Sequence, residues 1–301
     1  MTSPFRNAIL FVVLAAVWGS AFTAIKAGLE FFPPVLFAAF RYDLAGLLML
    51  TYAVYATDRW RPRSRDEWLL VGIGGALLIA AYHAFLFVGQ QGTTSAAAAV
   101  IVSLSPILTT GFARALLPDE RLAILGVVGL LVGFLGVVIL SNPDPNNLLD
   151  ARTVSMLLIF LAAASFALGS VLTRRFDTGL PIETMEAWSM LVGALLMHGV
   201  SVALAESVAD VEWTLEALVA LLYLVVVASA AGFLIYFDLL ERLGPIEINL
   251  VSYAAPVAAA VTGLVFLGEV PTIHTWVGFL FILTGFLLVK RDAIRAELVR
   301  L

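Results

Sequence analysis

Three ionisable side chains, Arg41, Asp43 and Glu186, stand inside apolar stretches of this 301-residue sequence. In hydrocarbon a charge of this kind costs roughly 2.5–3.5 kcal/mol on insertion scales. Each therefore needs water, a group on another segment, or a ligand. Arg41 and Asp43 are two residues apart, about 200° around a helix, so they do not serve as each other's partner. Two readings of Arg41 stand at this level. Either it lines a polar cavity, or it snorkels to an interface about two helical turns away.

His83 lies deep in its stretch and forms a stripe with Phe87 and Gln90 at spacings of four and three. That face puts a hydrogen-bonding or protonatable group between aromatic walls, the mixture found in small-molecule cavities; packing against a neighbouring helix is the alternative. Trp18, Tyr82, Trp188 and Tyr236 supply further aromatic wall, or interface anchors. Two similar stripes follow, Ala99, Ser103, Pro106, Thr110 and Asn249, Tyr253, Pro256, Ala260. Each interior proline removes a backbone hydrogen bond, which makes Pro106 and Pro256 hinges or static kinks and turns Asn249 and Tyr253 toward the cavity as donors. The expected substrate-binding set is thus His83, Tyr82, Arg41, Asp43, Trp18, Gln90, Glu186, Trp188, Asn249 and Tyr253. His198 and His274 are read as structural, and three histidines on separate segments, without spaced carboxylates, predict no metal site and no cofactor.

The elements that must hold these groups are set by composition. The chain is 61% hydrophobic and 13% charged, with a mean hydropathy of +1.01, against roughly 25% charged residues in soluble domains. Runs of the length that crosses about 30 Å of hydrocarbon, roughly 20 residues, fall at 7–27, 35–56, 68–88, 96–116, 122–140, 154–172, 182–204, 215–237, 248–267 and 273–289. Continuous apolar runs without two-residue alternation mark helices rather than barrel strands. The fold class expected is an all-α integral membrane protein of ten transmembrane helices.

Of the 17 lysines and arginines, all but Lys26, Arg41 and Arg152 fall in the termini and in alternate loops that share one side. Because positive loops stay cytoplasmic, both termini are expected in the cytoplasm and the protein in the cytoplasmic membrane. A net charge of −5 argues against a nucleic-acid partner. With no cysteine there is no disulfide and no thiolate site.

The sequence also repeats itself. Gly19, Ser20 and Thr23 recur 150 residues later as Gly169, Ser170 and Thr173, and Pro106 recurs as Pro256. One residue out of that register, Glu120, Gly129 and Gly136 recur as Glu269, Gly278 and Gly285. The organisation predicted is a first five-helix repeat over 1–141, an outer linker over 142–152 and a second five-helix repeat over 153–301. Five is odd, so the second copy enters the membrane from the opposite face, and the repeats are inverted. Such repeats are the architecture of alternating-access carriers; a duplication that merely built a stable bundle is the alternative.

The run Trp18-Gly-Ser-Ala-Phe, then Phe40-Arg41-Tyr42, Gln91-Gly-Thr-Thr-Ser-Ala96, Ser105-Pro106 and Asp119-Glu120-Arg121, with Leu243-Gly-Pro-Ile246, Ala255-Pro256 and Leu267-Gly-Glu269 in the second half, resembles the EamA family of the drug/metabolite transporter superfamily. The resemblance covers essentially the whole chain. It implies a ten-helix carrier with a central cavity between the halves and a substrate among amino acids, other metabolites or drugs. Where the second copy departs from the first, Trp188 stands opposite Arg41.

The function expected is a secondary transporter, not an enzyme, that moves a small metabolite, an amino acid or related amphiphile, by alternating access in the export direction. No Walker A sequence, H-E-x-x-H or G-x-S-x-G occurs; an intramembrane enzyme or a non-transporting scaffold is the alternative. Asp43, Glu186 and His83 are the groups available for proton coupling, which facilitated diffusion would not need. Beyond the substrate the partners expected are the lipid bilayer and, at most, a second copy in a weak homodimer. Gly129 and Gly133, with Gly126 and Gly136, are read as a helix-packing seam within the bundle.

Overall fold

The computed structural model describes residues 4–116, 124–143, 147, 149–176, 178–243, 248, 250–289 and 291. The chain runs through α1 (Pro4–Gly28), α2 (Pro34–Ala56), α3 (Arg65–Gln90), α4 (Ser95–Leu116), α5 (Ile124–Ser141), α6 (Ala151–Thr173), α7 (Ile182–Ala203), α8 (Leu215–Leu243), α9 (Val251–Leu267) and α10 (Ile273–Val289). The first eight are long and apolar enough to cross a membrane, and α9 and α10 are shorter apolar helices. There is no β-strand among the described residues.

Local chemistry sets the helix starts. Prolines 33 and 34 open α2, where a missing amide costs nothing. Ser64 and Glu67 form a reciprocal capping box at α3. The side chains of Thr94, Asp150 and Thr214 accept from the amides of Ala97, Thr153 and Ala217 at the starts of α4, α6 and α8. At the far end of α9 Gly268 takes φ 66°, the left-handed turn that glycine enters most readily.

Three helices are irregular inside. α4 breaks at Ser103–Leu104, between the segments Ser95–Val102 and Ser105–Leu116. Pro106 comes at once after it, and the Val102 carbonyl, which it leaves without an amide donor, accepts the Ser105 hydroxyl at 2.7 Å. Pro256 instead lies within a continuous α9, so the two prolines of the repeat are not in equivalent surroundings. π-Helical stretches run over Gly74–Ala81 in α3 and Tyr223–Ala231 in α8. Each begins and ends about 150 residues from the other.

α2 packs on α7, α5 on α10 and α4 on α9, while α1 lies against α8 and α9 and α6 against α3 and α4. The pairing is unchanged when the first five helices are exchanged with the last five. Small residues permit the closest crossing: a Cβ on Gly129 would stand 2.7 Å from the Gly285 carbonyl oxygen, and one on Gly278 the same distance from that of Gly136. The glycines of α5 thus meet those of α10 inside one chain, the packing role read from their spacing.

Candidate functional site

A cavity of about 660 Å³ runs into the bundle, walled by residues from α1, α2, α3, α4, α6, α7, α8 and α9, within the size range of metabolite sites. Its lining reaches Phe176 and Thr178–Leu180 in the α6–α7 connection. That connection lies beside the arginine-bearing loops: Arg59 donates to the Gly179 carbonyl at 3.1 Å, and Thr184 to the Arg59 carbonyl at 2.7 Å. At the other end the lining stops near Ile25 and Leu86. Among the described residues none from the connections of that opposite face lines it.

The opposite face is tied shut. The Glu206 carboxylate accepts from the Val35 and Leu36 amides at 3.0 and 2.8 Å, capping α2 from the α7–α8 connection. Glu269, which the repeat matches to Glu120, accepts from the Ser95 amide at 2.9 Å. Lys26 donates to the Gln90 and Gln91 carbonyls, and Phe32 stacks on Phe37 at 4.5 Å. Nothing in the linear pattern singled out Glu206, because its partners are backbone amides 170 residues away. Glu120 lies outside the described residues.

Arg41 is 6% exposed and lines the cavity instead of snorkelling outward. Its Nε donates to Ser229 Oγ at 3.1 Å, and its guanidinium lies 5.0 Å from the centre of the Tyr42 ring. Among the described residues it has no carboxylate within 4.0 Å. Ser229 belongs to the π-helical stretch of α8 and was not foreseen. Glu186, half-buried on the cavity wall, likewise has no ionic partner among the described residues. Trp18 and Tyr82 also line the cavity, with Phe166, Phe233 and Tyr236. The Trp18 indole donates to the Ala228 carbonyl at 3.2 Å and packs 5.4 Å from Tyr236.

His83 lines the cavity at 6% exposure with both ring nitrogens engaged. Nδ1 lies 2.8 Å from the Ile79 carbonyl and Nε2 lies 2.6 Å from Tyr42 Oη. A carbonyl can only accept, so Nδ1 carries a proton; the neutral ring then accepts the Tyr42 hydroxyl at Nε2. Ile79, like Ser229, sits in a π-helical stretch, and the two are 150 residues apart.

Four expected site residues stand elsewhere. Asp43, near the middle of α2, pairs with His198 of α7 at 2.7 Å, both partly exposed; that is the partner its position demanded. Gln90 is fully buried and donates to the Phe22 carbonyl at 2.5 Å, behind the cavity. Trp188 donates to the Trp60 carbonyl at 2.9 Å and meets Trp68, away from the cavity. Tyr253 packs on Phe286, its ring centre 4.4 Å away. Asn249 lies outside the described residues. Ala99 lines the cavity as read from the sequence, but the rest of the two stripes face it one position earlier, through Val102 and Ser105 and through Ile248, Ser252 and Ala255. Asp238 pairs with Arg242 at 2.8 Å, as its spacing predicts, and also with Arg6 at 3.3 Å.

The profile of the EamA-like transporter family matches twice, over residues 6–142 and 153–291. The transporter YvbV of Bacillus subtilis is 26% identical over 285 residues, 95% of this chain and 92% of that protein. A transporter of Archaeoglobus fulgidus is 27% identical over 94% of this chain and 98% of its own length. The inner membrane transporter YedA of Escherichia coli K12 is 28% identical, covering 87% and 83% of the two chains. A crystal structure superposes with a TM-score of 0.67 over 98% of this chain and all of the other, at 23% identity, a likeness of fold.

Proposed function

Starting from a chain that belongs to the EamA-like transporter family, a multi-pass membrane transporter of the drug/metabolite type, we propose that it exports a small carboxylate-bearing metabolite, an amino acid or related amphiphile. The observation that carries this reading is Arg41: a buried guanidinium on the wall of a metabolite-sized cavity, held by one serine hydroxyl and left without a carboxylate among the described residues. A buried cation of this kind is stabilised by an anion that arrives with the substrate. Its planar fork matches a carboxylate through two parallel hydrogen bonds. Glu186 on the same cavity suits an ammonium group, and Trp18, Tyr82, Phe233 and Tyr236 suit an apolar body.

Alternating access between two inverted five-helix halves, ten membrane crossings in all, is the mechanism proposed. Its support is the doubled family match, the exchangeable pairing of the helices and the paired π-helical stretches. With both termini cytoplasmic, as the arginine distribution favours, the cavity reaches the cytoplasmic face and the ties through Glu206 and Glu269 close the outer one. That state loads from the cytoplasm, which favours export. Pro106, beside the break in α4, and Pro256 are the proposed hinges, and Glu186 is the cavity group left free to carry a coupling proton.

The test is efflux of an amino-acid and organic-acid mixture from proteoliposomes, wild type beside Arg41→Gln, with and without a proton gradient. Saturable efflux that Arg41→Gln abolishes is expected. Efflux of these compounds by neither protein, or equally by both, would overturn the assignment.

A further inference from the structure

A second recess, of about 480 Å³, lies away from the cavity and is lined by Trp60, Arg61, Pro62, Arg63, Trp68 and Trp188. Its wall is aromatic: Trp68 and Trp188 meet edge to face at 5.3 Å, and the Trp188 indole is pinned to the Trp60 carbonyl. Trp60 and Trp68 nevertheless remain 39% and 45% exposed, and Leu69 beside them 43%. The recess therefore opens where the arginine-bearing α2–α3 connection meets the apolar outer surface of the bundle.

Its cations are uncommitted. Glu67, the buried carboxylate of this segment, is used by the Arg59 side chain and by the backbone amides of Arg63 and Ser64. Among the described residues neither the Arg61 nor the Arg63 guanidinium has a carboxylate within 4.0 Å, and both side chains are exposed. Arg61 lies over the Trp60 ring at 5.8 Å.

Two free guanidinium groups suit a phosphodiester, since each can give paired hydrogen bonds to phosphate oxygens. Indoles settle at headgroup depth, with an apolar body toward the chains and an N–H toward the polar layer. A cation near an anionic leaflet contributes enough to favour charged lipid about fivefold. We propose that this recess binds the headgroup of an anionic glycerophospholipid, its phosphate between Arg61 and Arg63 and its acyl region against Trp68. The proposal does not depend on which substrate the cavity takes.

The experiment is competition between phosphatidylglycerol and phosphatidylcholine for the purified full chain, read by native mass spectrometry. The variants are wild type, Arg61→Gln/Arg63→Gln and, as a control from the other end of the bundle, Arg152→Gln. The wild type and Arg152→Gln should prefer phosphatidylglycerol, and the preference should fall about fivefold for each recess arginine removed. Millimolar inorganic phosphate should leave the bound lipid in place. A preference retained in the double variant, a wild type without preference, or displacement by free phosphate would each overturn the proposal. Because both arginines are exposed, the double variant is expected to keep the wild-type melting temperature; a lowered one is controlled by Trp68→Leu, which should weaken lipid retention while leaving the guanidinium groups intact.

Discussion

Arg41 and Ser229 are 188 residues apart in the chain and meet at 3.1 Å in the interior of the bundle, a charged donor held by a neutral hydroxyl. A hydrogen bond to a charged group contributes about 1.5–3 kcal/mol. The serine aims the guanidinium without neutralising it, so the charge stays available to a ligand. Ser229→Ala should therefore raise the KM for efflux roughly tenfold, the lower end of that range, and leave the maximal rate near wild type. An unchanged KM in the proteoliposome assay would remove Ser229 from the positioning of Arg41.

Tyr42 and His83 form a second buried pair at 2.6 Å, with the histidine held from its other nitrogen by Ile79. Removing the Tyr42 hydroxyl leaves Nε2 without its donor, which costs about 1–3 kcal/mol. Tyr42→Phe, His83→Phe and the double variant, melted in detergent, should give a coupling energy of about 0.5–1.5 kcal/mol. Additive losses would mean that the two side chains act separately.

The crossing of α5 and α10 has no room for a side chain at Gly129 or Gly136. Gly136→Val should lower the melting temperature sharply, since overpacking costs about 1–3 kcal/mol and here the obstacle is backbone. Gly199, with nothing within 4 Å of an added Cβ, should accept Ala with no loss, and Ala's higher helix propensity favours a gain of up to about 1 kcal/mol. Equal effects at the two positions would contradict the packing described.

Glu206 caps α2 from a distant connection, so its loss should loosen the closed face. The chain has no cysteine, and Ile25→Cys places a single reporter near the closed end of the cavity. Labelling by an impermeant maleimide from that face should rise several-fold when Glu206→Ala is added. Unchanged labelling would show that closure does not need this carboxylate.

Pro106 stands just past the break in α4, and its missing amide is what leaves the Val102 carbonyl to Ser105. Pro106→Ala restores a donor and should slow the maximal efflux rate while keeping or raising the melting temperature. A rate equal to wild type would mark the break as static.

The residues in order determined the quantities that depend on neighbours along the chain. Because hydrocarbon demands a minimum length of apolar chain, the apolar runs placed the helices to within a few residues, except that α8 continues six residues past its run to Leu243. The 150-residue recurrence is legible in the sequence itself, and Arg41, Trp18, Tyr82, His83 and Glu186 stand out there because polar groups in such runs need a reason. Tertiary structure decided which of them share a space. Asp43 found His198, Gln90 found the Phe22 carbonyl and Trp188 found Trp60, partners that no spacing along one helix reveals. Helical phase was the other limit. A stripe read at 3.6 residues per turn does not say which way a helix turns that face toward its neighbours, and, Ala99 apart, in α4 and in the unbroken α9 alike the cavity-facing residues fall one position before those read from the sequence. The π-helical stretches of α3 and α8 interrupt the regular period; Ile79 meets His83 four residues along the same helix, while Ser229 reaches Arg41 from another helix. Which face a helix turns inward, and a partner 188 residues away, depend on how the helices pack, and so they became visible only once the chain had folded.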